Sequence, residues 1–327
     1  MEHRHVGASG LVVSSLGLGT MTWGRDTPAD EAFKQLEAFI EAGGNFVDTS
    51  PTYGLGVAEE LLGQFLRDMG NRPDCIIATK AGFSVVDGHV QADTSRGALL
   101  RNLDESLTRL QTDYVDLWLV QNHDGHTSID ETLSALNAAV QSGKARYVGL
   151  SNYPAWAVTQ AATLLSPRVS GLSAPGLAAV EMEYSLLQRG IEAEIVSASQ
   201  SLGFGIIGWS ALGRGILTGK YRSTTPPDSR AASSHLRGFV EPYMGESSRR
   251  VVEALATAAQ GLDIGMIDAA LAWLDTREHL ACSIVGARSA DQLSTILKAT
   301  GTQLPPQLVA VLDEVSAPVV GYPARWR

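Results

Sequence analysis

Short apolar runs alternate with amphipathic stretches along most of this chain. SLGLGT reads as a strand, and ADEAFKQLEAFIEAG follows with apolar residues three and four apart. The same alternation repeats as FVDTS then VAEELLGQFLRDM, CIIATK then SRGALLRNLDESLTRL, LWLVQN then SIDETLSALNAAVQSG, and YVGLSN then PAWAVTQAATLL. LAAVEMEY precedes IEAEIVSASQSLG, GIIGWS precedes a long connection, and ACSIVGAR closes the series. Strand-like runs that are apolar throughout, separated by helices, point to a parallel sheet covered on both faces. About eight such pairs without a linker predict an α/β fold of the closed (β/α)8 TIM-barrel kind, with residues 1–327 forming one domain. A Rossmann-type domain needs G-x-G-x-x-G after the first strand, and LGLGTMTWG does not match.

Other segments depart from the rhythm. At the start, HRHV and LVVSSL flank GASG, which predicts a β-hairpin. Residues 221–250, YRSTTPPDSRAASSHLRGFVEPYMGESSRR, are rich in Ser, Pro and Arg and have little periodicity, the mark of a long functional or disordered loop. Near the end, PPQLVAVLDEVSAP predicts an extra helix, and GYPARWR an irregular tail.

The 327 residues are 44% hydrophobic and 18% charged, as in ordinary soluble proteins. A net charge of −10 without a basic cluster argues against nucleic acid or an anionic membrane as partner. Cys75 and Cys282 lie inside apolar runs and lack metal-ligand spacing. They are expected as core thiols in a reducing compartment, with no metal site. MEHRHVGASG is polar from its first residues and no apolar run approaches the ~20 residues of a membrane span, so a cytoplasmic protein is expected.

Polar residues gather at the strand ends. FVDT carries Asp48, IIATK ends in Lys80, LWLV leads to Gln121 and His123, and YVGL to Ser151 and Asn152. AAVEM carries Glu181, IIGW leads to Trp209 and Ser210, and SIVGA to Arg288. In a barrel these ends converge on one mouth, where barrel enzymes place their active sites. A single such residue is usually a cap, but the whole set predicts a functional cleft.

Along almost its full length the chain resembles the aldo-keto reductases. The pieces that carry the resemblance are LGLGTM, GGNFVDTSPTYG, AEELLG, TK at 79–80, DYVDLWLV, GKARYVGLSN, EYSLLQR, WSALGRGILTGKY, SRA at 229–231 and GARSADQL. The resemblance implies a barrel whose bottom is closed by the hairpin, and hydride transfer between a nicotinamide cofactor and a small aldehyde or ketone. It implies that Asp48, Tyr53 and Lys80 are catalytic. Chemistry agrees, because a carbonyl that accepts hydride must also accept a proton. A free phenol titrates near ~10. A neighbouring ammonium is expected to lower that value, and an aspartate to hold the ammonium in place. By the same resemblance, cofactor contacts fall on Gly19, Thr20, Met21 and Asp48, and on Ser151, Asn152 and Glu181 around the carboxamide. They fall also on Trp209 against the ring, and on Ser210, Leu212, Gly213, Gly215 and Lys220 along the pyrophosphate. Arg230, Gly286, Arg288 and Gln292 would hold the phosphate and adenosine. A planar guanidinium suits a phosphate monoester, so NADP(H) is expected over NAD(H).

Three positions depart from the family pattern. Gln121 stands where the family has histidine, Glu181 where it has glutamine, and Ile296 where it has asparagine. A carboxylate at 181 can still accept an amide N–H, and Ile296 replaces a polar contact by packing. Gln121 leaves three readings. It acts as a neutral hydrogen-bond donor, or a bulge turns His123 back into the site, or the chemistry has moved. Moved chemistry means reduction of an enone or unsaturated keto-sugar, or slow-turnover cofactor sensing like that of the similar potassium-channel beta subunits. Loops 22–28, 83–93 and 221–250 are expected to shape the substrate pocket.

Overall fold

A computed structural model describes residues 1–70, 72–86, 89–166, 176–227, 229–319 and 321. The N-terminal hairpin pairs β1, His3–His5, with β2, Val12–Ser14. The strands β3 (Leu16–Gly19), β4 (Phe46–Asp48) and β5 (Ile76–Ala81) open the barrel. An antiparallel pair follows, β6 (Phe83–Val86) and β7 (His89–Ala92). Then come β8 (Val115–Val120), β9 (Ala145–Ser151), β10 (Leu177–Glu183), β11 (Gly205–Trp209) and β12 (Leu280–Val285). All barrel pairings are parallel, and β12 returns to β3 to close the (β/α)8 ring.

Side chains of period two divide each strand between an inner and an outer core. Phe46, Ala78, Leu117, Leu119, Ala179, Ile207, Cys282 and Ile284 form the inner cluster, sealed below by Val6, Leu11 and Val13 of the hairpin. The hairpin thus closes the bottom of the barrel. Its turn comes so near β11 that a Cβ on Gly7, at φ +57°, would lie 2.4 Å from the Gly203 carbonyl oxygen, so only glycine fits. Residues of the opposite parity join the outer cluster beneath the helices, as Val47, Ile77, Trp118 and Ile206 do.

Helix starts follow local capping chemistry. Ser95, Ser128 and Ser289 each accept the backbone N–H three residues on, opening the helices Arg96–Leu110, Ile129–Gln141 and Ala290–Lys298. The extra C-terminal helix spans Pro306–Val315. The tail 322–327 lies outside the described residues. Segment 221–250 is irregular until Arg237–Val240, a short helix, and Glu246 begins the long helix Glu246–Gly261. Within 83–93, expected as a loop, the described residues Phe83–Val86 and His89–Ala92 pair as β6 and β7. Asp87-Gly88, flanked by strand-forming residues, was a legible sequence signal for that hairpin. No described helix is long and apolar enough to cross a membrane.

One buried ion pair fastens the third strand to its helices. Glu59, fully buried on the helix Val57–Met69, accepts 2.6 Å hydrogen bonds from Thr79 Oγ1 and Arg109 Nε. Thr79 points outward from β5 and so sets the strand that carries Lys80 inward. Removing the carboxylate strands the Arg109 charge and the Thr79 hydroxyl. Glu59→Ala is expected to cost about 3–5 kcal/mol, read as a lower urea midpoint with an unchanged m-value.

Candidate active site

Two residues beyond the apolar inner layer, the same inward positions become polar. Asp48 follows Phe46, Lys80 follows Ala78, Gln121 follows Leu119, Ser151 follows Gly149, Glu181 follows Ala179 and Trp209 follows Ile207. They form the floor of a cleft of about 580 Å³ at the C-terminal ends of the strands. Of the expected contacts, Gly19, Met21, Asp48, Tyr53, Lys80, Gln121, Ser151, Asn152, Glu181 and Trp209 line it. So do Ser210, Leu212, Gly215, Lys220, Arg230, Gly286, Arg288 and Gln292. Thr20, Gly213 and His123 do not line it. Thr20 is buried and donates its hydroxyl to Asp48 O and Thr49 Oγ1. Gly213 packs at φ +54° against Leu187, where a Cβ would come within 2.8 Å of Cδ1.

The floor is a buried charge cluster. Lys80 Nζ donates to Asp48 Oδ1 and to Thr49 O at 3.3 Å, and lies 3.2 Å from Glu181 Oε1. Its ammonium sits 5.4 Å from the centroid of the Tyr53 ring. Burial works against the ammonium, but Asp48 and Glu181 outweigh it and raise its pKa. Burial raises the Asp48 carboxyl against the opposing pull of Lys80. Burial, then Asp48, push Glu181 up to about 8, with Lys80 opposing. The Tyr53 phenol also lies above its ordinary value. Burial dominates, and the two carboxylates offset the help of Lys80. This corrects the expectation of a lowered phenol pKa, because burial of the phenol outweighs the pull of Lys80.

Beside this cluster runs a belt of hydrogen bonds. Ser50 Oγ donates to Gln121 Oε1 at 2.8 Å, which leaves the amide N–H groups of Gln121 as the free side of that group. Asn152 Nδ2 donates to Gln121 O and to Ser151 Oγ, and Asn152 Oδ1 accepts from Trp209 Nε1 at 3.1 Å. Ser151 Oγ donates to Glu181 O. His123 is turned elsewhere. The strand ends at Val120, so period two does not carry on to residue 123. The imidazole packs edge-on against Tyr153 and Trp156 at 5.2 and 5.7 Å, and its Nδ1 accepts from Gly125 N. Asp124 is a loop anchor, accepting from Thr94 and from the backbone and hydroxyl of Thr127.

At the other end the cleft is cationic. Arg230 has no ion-pair partner among the described residues. Burial, then the charge of Arg288, hold its guanidinium below the ordinary arginine value. Arg288 lies 3.8 Å from Asp26, which is also bound by Arg25 and His235. Gln292 Oε1 accepts from Arg288 N. Ser229 Oγ is buried without a hydrogen-bond partner among the described residues. Two like charges and an orphan hydroxyl around one cavity suit a phosphate. Gly215, at φ +94°, lets the loop between floor and rim turn beside Lys220. Ile296 lines the wall as an apolar contact.

Some cleft residues were not anticipated. Arg214 forms a two-pronged pair with Glu183 and lies 4.1 Å from the Phe239 ring, which in turn stacks on Trp209 at 6.4 Å. Glu183 follows Glu181 by the strand period, so that signal was available. Phe239 comes from the aperiodic segment, where no pattern could place it. Ser50 sits inside the quoted motif, yet its bond to Gln121 spans 71 residues.

A sequence model described as the Aldo/keto reductase family matches residues 15–317. The chain is 32% identical to a probable voltage-gated potassium channel subunit beta of Oryza sativa subsp. japonica, over 99% of this chain and 98% of that protein. It is 31% identical to the uncharacterized oxidoreductase YrpG of Bacillus subtilis (strain 168), over 96% of each. It is 33% identical to the L-glyceraldehyde 3-phosphate reductase of Escherichia coli (strain K12), over 91% of this chain and 87% of that protein.

Glu181 makes the floor sensitive to pH. Its folded pKa, about 8, lies above the ordinary 4.5, so between these values the folded protein keeps a proton that the unfolded chain releases. Stability from this group is present below the ordinary value and declines as pH rises toward about 8. Wild type is therefore expected to lose melting temperature relative to Glu181→Gln between about pH 5 and 8. Parallel calorimetric curves for the two proteins would contradict this.

Proposed function

The chain belongs to the aldo/keto reductase family, and from that premise we propose that it is an NADP(H)-dependent oxidoreductase reducing a small aldehyde or ketone, with Tyr53 as the general acid. The observation that carries the proposal is one cleft holding a phenol beside a buried ammonium at its floor and, at its rim, a guanidinium without an ion-pair partner among the described residues.

Bound in this cleft, the nicotinamide supplies a hydride. The chain's own residues do the rest. Arg288 and Arg230 take the 2′-phosphate, and Lys220 and the turn at Gly215 take the pyrophosphate. Trp209 and the Ser151–Asn152–Glu181 group hold the nicotinamide end. Tyr53 keeps its proton through neutral pH because burial favours the neutral phenol. The proton moves to the carbonyl oxygen as that oxygen gains negative charge. Lys80 stabilises the tyrosinate left behind, and Asp48 holds Lys80. Ser50 fixes the Gln121 amide so that its N–H can donate to the same oxygen. Gln121 lines the cleft and His123 does not, which favours this role for Gln121.

A second reading, slow-turnover cofactor sensing, is favoured by the likeness to a probable channel beta subunit and by the non-titrating amide at 121. Turnover of NADPH with 4-nitrobenzaldehyde separates the two. A panel with glyceraldehyde 3-phosphate, chosen from the relative's name, and an enone beside its saturated ketone then sorts substrate class.

NADPH is expected to bind roughly tenfold or more tightly than NADH, since one desolvated charge-assisted contact is worth about 1.5–3 kcal/mol. Tryptophan fluorescence titration measures both, and Arg288→Ala should erase most of the difference. Tyr53→Phe is expected to lower kcat by ~10²–10⁴-fold with little change in NADPH affinity. Retention of a tenth of the wild-type rate would mean that another group is the acid.

A further inference from the structure

The floor of the cleft buries two carboxyl groups against one ammonium. Lys80 already has Asp48 as its hydrogen-bonded partner, and it touches Glu181 through Oε1 alone, at 3.2 Å. Glu181 Oε2 is buried and receives no hydrogen bond from the described residues. A bare carboxylate oxygen in such a place is costly, whereas a protonated one has Asp48 beside it as an acceptor. The titratable groups that face Glu181 are Asp48 on β4, Tyr53 in the turn after it, Lys80 on β5 and the Cys282 thiol on β12. The neighbouring strands β9 and β11 bring Ser151 and Trp209, which do not titrate. The local charge count is therefore set by whether Glu181 holds its proton.

Nicotinamide changes charge with its redox state: the oxidised ring is a cation and the reduced ring is neutral. We propose that Glu181 compensates this change, keeping its proton when the cleft is empty or holds the reduced cofactor, and releasing it to solvent when the oxidised cofactor binds. One proton passes from the Glu181 carboxyl to the buffer, no bond to the cofactor forms and no electron moves. The protonated acid leaves Asp48 and Lys80 as a neutral pair. The ionised one supplies the single negative charge that a cationic ring needs in a water-poor site. The inference rests on the cleft being a nicotinamide site, as proposed above. A glutamine at 181 would fill the same space without the capacity to change charge.

Calorimetric titration with NADP⁺ and with NADPH at pH 7, in two buffers of different ionisation enthalpy, counts the protons exchanged. Ionisation of the 2′-phosphate is common to both ligands and cancels in the comparison. Wild type should release about one proton more with NADP⁺ than with NADPH. In Glu181→Gln that difference should vanish while both ligands still bind, and the affinity ratio should shift toward NADPH. Equal proton counts for the two ligands in wild type would overturn the proposal without any variant, and so would an undiminished difference in Glu181→Gln. Failure of wild type to bind either ligand would instead remove the nicotinamide reading itself.

Discussion

One buried ammonium, Lys80, governs the chemistry of this barrel. Isolated in the interior its charge would cost several kcal/mol, so it demands carboxylates at matching depth. Asp48 and Glu181 supply them from β4 and β10, across the inside of the ring. Lys80 thereby ties β5 to β4 and β10. Burial in the same floor lifts the Tyr53 phenol, while Lys80 pulls the other way and so favours the tyrosinate. Outside the ring, Glu59 and Thr79 hold β5 so that Lys80 cannot turn away. The polar floor thus depends on an apolar layer below it and a buried ion pair behind it.

The cleft is polarised from end to end. Its floor carries a surplus of carboxyl groups, and its rim carries Arg230, Arg288 and Lys220. A chain of net charge −10 therefore presents a local cationic rim, which shows why net charge alone is a poor guide to a site. Between the two ends lies a layer of stacked groups, Trp209 on Phe239 on Arg214, pinned by Glu183. A ligand with a flat ring at one end and phosphates at the other has one orientation that suits such a gradient.

The alternation of apolar runs with amphipathic ones determined the (β/α)8 architecture, the hairpin below it and the mouth above it, because strand and helix periods are written locally. The caps that Ser95, Ser128 and Ser289 supply to their helices are local in the same way. Asp48, Lys80, Gln121, Glu181 and Trp209 could be picked out because each ends an apolar run at an inward position. What the sequence could not decide was how these groups share charge and hydrogen bonds. Tyr53 was expected to be made more acidic by Lys80, and only the closed barrel revealed that burial of the phenol outweighs that help. His123, two residues from Gln121, could have been turned back into the site by a bulge, but the strand stops at Val120 and the imidazole goes to Tyr153 and Trp156. Ser50 orients Gln121 across 71 residues of chain, and Phe239 enters from a segment without periodicity. Periodicity tells which way a side chain faces within its own element. Partnership between elements depends on distances that exist only after the ring has closed.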